Sequence, residues 1–136
     1  MKRHIALRRM LWFWLLAPAV LVLFMLAQAL AGKYGDDLSI PFNWISAQIF
    51  PVLGLLISAV LASPDDEWNN KDVNGNRYLL AKVTSGVQIL AIVLTLLIEP
   101  LLPATSFDFF DKTIFFFSIW QGVVTACVGG LVFDGR

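Results

Sequence analysis

The chain has 136 residues, 58% of them hydrophobic, a mean hydropathy of +0.74, and ten basic residues balanced by ten acidic ones. A soluble domain of this length lacks the polar surface to cover so much apolar area, so composition excludes an ordinary soluble fold and points to a polytopic membrane protein. Balanced charge also argues against nucleic-acid binding: the basic tail holds only Lys2, Arg3, Arg8 and Arg9, and its expected partner is anionic lipid.

A hydrocarbon core of ~30 Å needs about 20 apolar residues per helix. Met10–Ala31 is the first stretch that meets this. Its basic lead "KRHIALRR" and the Ala27-Gln28-Ala29 triplet resemble a signal peptide and its cleavage site. The apolar run is longer than a usual signal core, so a retained span is expected. Pro18 frees the carbonyl of Trp14 within it.

Trp44–Ser63 is the second expected span. Pro51 frees the carbonyl of Ala47, with Gln48 as a nearby donor. Gly54, Ser58 and Ala62 recur every four residues and form a ridge that admits another helix at close range. "QIFPVLG" (Gln48–Gly54) is similar to the Phe-Pro step in the small membrane subunits of tripartite carboxylate transporters. That resemblance implies an accessory subunit of a larger complex.

The loop "SPDDEWNNKDVNGNR" follows. Asn70-x-Asp72-x-Asn74-Gly75 copies the first half of a calcium loop, but the twelfth position falls on Ala81, where the bidentate Glu belongs. A turn is the expected structure instead, with Asn74-Gly75 at positive φ and Asp72 capping the next helix.

Leu79–Ile98 and Thr113–Phe133 complete four spans in a single domain, residues 1–136. Between them, Glu99 precedes Pro100 near the boundary and has two readings, a helix-end residue or a cation-selecting ring at an outer mouth. "FDFFDKTIFFF" (Phe107–Phe117) suggests a segment lying in the interface before the chain turns inward.

Eight of the ten basic residues fall on one side of this layout, leaving Lys33 and Lys112 opposite, which predicts both termini in the cytoplasm of a bacterial inner membrane. Trp12, Trp14, Trp68 and Tyr78 mark one expected aromatic belt, and Tyr34 and Trp44 the other. Asp36, Asp37, Glu99, Asp108 and Asp111 outweigh the two opposite lysines, so that face is acidic.

No Asp, Glu, Lys, Arg or His lies near the middle of any span. Proton-coupled carriers and intramembrane hydrolases need such groups, so no enzyme is expected. Cys127 and His4 are the only residues of their types and make no metal or haem framework, so no cofactor and no metal are expected.

Neutral polar residues remain, with one glutamine per span: Gln28, Gln48, Gln88 and Gln121. On the third span Thr84, Gln88 and Thr95 share a face; on the fourth Ser118, Gln121 and Thr125 do. At ~1.5 Å of rise per residue, Gln88 and Thr125 sit roughly 14 and 12 Å from one boundary, and Thr95 and Ser118 are likewise level. An antiparallel hairpin in register is expected, with Gln121 within reach of Gln88.

Gly122, Ala126 and Gly130 make a second small-residue ridge beside this stripe. Two arrangements follow: the ridges of the second and fourth spans pack within one bundle, or one of them packs between subunits. The expected protein is therefore an all-α transmembrane four-helix bundle that assembles into a homo-oligomer. Small channel-forming effectors of bacterial immunity have a similar layout, and an oligomeric pore or ion channel lined by the stripe is the first functional expectation. An accessory or anchoring subunit of a membrane complex is the second.

Overall fold

The computed structural model describes residues 1–35, 38–62, 70–101 and 106–133. Among them the protein is helical throughout: α1 (Arg3–Leu30), α2 (Ser39–Leu61), α3 (Gly75–Ile98) and α4 (Ser106–Val132), with a 3-10 turn at Glu99–Leu101. Each of the four long helices is long and apolar enough to cross a membrane. The remaining regular feature is an antiparallel bridge between Lys2 and Asp72.

The helices begin several residues before the apolar runs. Polar residues such as Asn76 and Asp108 join a helix whose stability is set by the apolar face that follows. The segment at Phe107–Phe117 therefore does not lie flat in an interface: it is already the first three turns of α4. Pro18 and Pro51 are accommodated inside continuous helices.

Local chemistry accounts for two helix ends. Asn74, not Asp72, caps α3, its Oδ1 accepting from the Asn76 N–H at 2.9 Å. Asn74-Gly75 is accordingly no positive-φ turn; the positive-φ residues among those described are Gly32 and Gly35. Gly32, at φ 78°, closes α1: the Lys33 N–H reaches the Gln28 carbonyl (3.1 Å) and the Gly32 N–H that of Ala29 (2.9 Å). A glycine is required there because a Cβ would clash with the backbone at such a φ.

α2 lies against both α1 and α4, and α3 packs mainly on α4. Residues 1–3 run beside residues 70–73, through Arg3 N–H to Lys71 O and Val73 N–H to Met1 O, each 3.0 Å. This defines a near end of the bundle; the turn at Lys33–Tyr34 and the start of α4 lie at the far end. Asp72, the centre of the calcium-like pattern, faces Lys2 and the Met1 ammonium at 3.8 and 3.6 Å.

The apolar core is in two parts. The near part gathers Leu7, Met10, Trp14, Val52, Leu56, Val124 and Val128; the far part gathers Met25, Trp44, Ile45, Ile92, Leu96 and Phe110. Trp14 and Trp44 are fully buried rather than belt residues facing lipid. Trp44 packs between Phe110, tilted by 46°, and Phe117, edge-on at 74°, each 5.1 Å away between ring centres; the edge-on contact is a geometry that makes aromatic pairs favourable. Trp12 alone among the described tryptophans is broadly exposed; Trp68 lies outside the described residues.

Candidate functional site

Three glutamines meet between the two core halves. Gln88 on α3 donates from Nε2 to Gln48 Oε1 on α2 (3.2 Å) and to Gln121 Oε1 on α4 (3.1 Å). Their exposures are 0% for Gln48 and Gln88 and 6% for Gln121, so the junction is sealed from the bundle's surroundings. A carboxamide has the shape for this: Gln88 offers two N–H donors from one nitrogen and so ties two helices at once. Nearby, Trp14 Nε1 donates to Ser85 Oγ at 3.1 Å, which ties α1 to α3.

The rest of the expected stripe does not bridge helices. Thr84 donates to the carbonyls of Leu80 and Ala81, Thr95 to that of Ala91, and Ser118 to that of Ile114. Each hydroxyl thus folds back on its own helix, as Ser and Thr do in an apolar setting. Thr125 is half-buried and Ser118 is exposed. Thr95 and Ser118 are not hydrogen-bonded to each other. Three grooves of about 210, 520 and 130 Å³ open on the bundle surface, and no stripe residue lines any of them.

Gln48 is the member that sequence reasoning misplaced. It was expected to serve the carbonyl freed by Pro51; instead its Oε1 accepts from Gln88. The signal was present in the pattern of one glutamine per span.

Both small-residue ridges face away from the bundle. Gly54, Ser58 and Ala62 on α2 are exposed, as are Gly122, Ala126 and Gly130 on α4. They do not pack on each other inside the subunit. Contact between α2 and α4 runs instead past Gly129, where a Cβ would stand 3.9 Å from Leu55 Cδ2. With Ser118, the exposed ridge of α4 is four residues long at a spacing of four: Ser118, Gly122, Ala126 and Gly130.

At the far end Glu99 is 4% exposed and forms an ion pair with Lys33. It neither stands free at an opening nor merely ends a helix. The Schellman turn at Gly32 delivers Lys33 to it, and the Lys33 ammonium also lies 5.4 Å from the centre of the Tyr34 ring. Tyr34 donates to Gln28 Oε1 at 2.7 Å. Burial, and then the Glu99 carboxylate, push the Tyr34 phenol up to about 12 from 10.0. Among the described residues no group of three or more His, Cys, Asp or Glu is placed to hold a metal.

Comparison of the chain with protein families, curated proteins and solved structures gives no match.

Proposed function

We propose that this protein is a non-enzymatic membrane subunit that acts through helix–helix assembly, as an accessory or anchoring part of a larger membrane complex. One observation carries the reading: the interhelical amides are spent inside the subunit, while the small residues of α2 and α4 face outward. Lipid tails are as apolar as leucine, so association in a bilayer is driven by close backbone approach and packing, which such ridges favour. The near end, which collects residues 1–3 and 70–75, is the cytoplasmic side on the distribution of basic residues.

A homo-oligomeric pore is the second reading. It is favoured by the exposed Ser118–Gly122–Ala126–Gly130 face, which in a ring of copies would line a narrow path. The glutamines, bonded to one another at depth, would not be part of that lining.

Purification from native membranes in mild detergent separates the two. An unlike membrane subunit held in fixed stoichiometry, and lost in Gly122→Leu with the bundle still folded, is the expected result. A defined oligomer of this chain alone, with ion flux in liposomes that Gly122→Leu blocks, would establish the pore instead. A monomer with neither partner nor flux would sink both.

A further inference from the structure

We propose that the glutamine junction holds one water molecule, bridging Gln48, Gln88 and Gln121 inside the bundle. Three carboxamides meet there, and two hydrogen bonds join them. Gln48 Nε2, Gln121 Nε2 and Gln88 Oε1 are buried and left over by that pairing. The oxygen and nitrogen of one amide are about 2.2 Å apart, so all three atoms lie within about 5.5 Å of Gln88 Nε2. Two donors and one acceptor are therefore each no further than one amide group and one hydrogen bond from the same nitrogen.

The burial decides the size of the ligand. Gln48 and Gln88 are 0% exposed, so neither a lipid headgroup nor the side chain of a neighbouring helix reaches them. Only a molecule enclosed with them can complete their bonding. The polarity decides its chemistry. An anion would suit the two NH2 groups and meet Gln88 Oε1 unfavourably; a cation would do the reverse.

Exchanging oxygen and nitrogen in all three amides preserves both hydrogen bonds and inverts the remainder to two acceptors and one donor. Water serves either arrangement, because it accepts two hydrogen bonds and donates two, and it is the smallest ligand that does so. Three polar partners is also the usual complement of a buried water. The site is independent of the outward ridges, so it stands whichever assembly the protein forms.

The test is water–amide cross-relaxation by NMR on the full chain in lipid nanodiscs, with glutamine labelled at the side-chain nitrogen. The amide hydrogens of Gln48 and Gln121 are expected to show cross-peaks to a slowly exchanging water. In Gln121→Met the Gln48 cross-peak is expected to fall at least two-fold, because the water loses one of three partners. No water cross-peak at any of the three amides would overturn the proposal, and the wild-type spectrum alone decides that. A Gln48 cross-peak at full strength in Gln121→Met would overturn it too, since the water would then not be shared.

Discussion

The middle of the bundle and its far end both bury polar groups, and they do so with different chemistry. At mid-depth the groups are neutral amides, held between two apolar cores. At the far end they are a carboxylate and an ammonium, where Lys33 keeps part of its surface exposed. Desolvating an ion costs several times more than desolvating an amide, and the cost falls where water is near. Position along the helix axis therefore selects the kind of polar contact that the fold can keep.

This contrast makes graded predictions for unfolding in detergent. Lys33→Met leaves Glu99 buried without its cation and is expected to cost about 3 kcal/mol. The double variant Lys33→Met/Glu99→Gln removes both charges and should return to within about 1 kcal/mol of the parent. A single-variant loss no larger than that of the double would show that the far end does not depend on paired charge.

Gln88→Leu removes both bonds of the junction and is expected to cost about 2 kcal/mol, and Gln121→Leu about half of that. Equal losses would mean that Gln88 has no central role. Both should cost less than Lys33→Met, because no charge is left behind.

Tyr34 sharpens the far-end side of the comparison without large energies. Its phenolate should form near pH 12 rather than 10.0, read as the ultraviolet change of tyrosine ionisation. A phenol whose pKa is raised by folding stabilises the folded state fully below pH 10, and that stabilisation is lost as pH rises through about 12. Glu99→Gln should lower the midpoint but leave it above 10.0, since burial is the larger cause. A midpoint unchanged by Glu99→Gln would show that the carboxylate does not act on Tyr34.

The smallest effect is expected at Gly129→Ala. The added methyl meets Leu55 Cδ2 at 3.9 Å, an ordinary contact, and alanine favours the helix. Stability should stay within about 0.5 kcal/mol of the parent. A large loss there would mean that α2 and α4 approach more closely than 3.9 Å implies.

Much of the architecture was legible beforehand, because four runs of about 20 apolar residues admit few arrangements. The reach from Gln88 to Gln121 was legible too, from the register of an antiparallel pair. Gln48 was not, since a lone glutamine beside a proline does not say which neighbouring helix its side chain faces. The buried pair at Lys33 and Glu99 was hidden for a related reason. Both residues sit beside helix ends, and loop charges ordinarily stay solvated; the hint was a glycine immediately before Lys33 and a proline immediately after Glu99. The ridges failed differently. A four-residue period says that small side chains align, but not whether the helix they receive belongs to the same molecule.

The amide layer has one consequence for how the crossings line up. If α3 slid by one turn, about 5.4 Å, leucines above and below would find other leucines and valines at little cost. The three carboxamides would lose both of their hydrogen bonds. These three side chains thus favour one vertical alignment of α2, α3 and α4, much as one buried asparagine locks two strands of a coiled coil in phase.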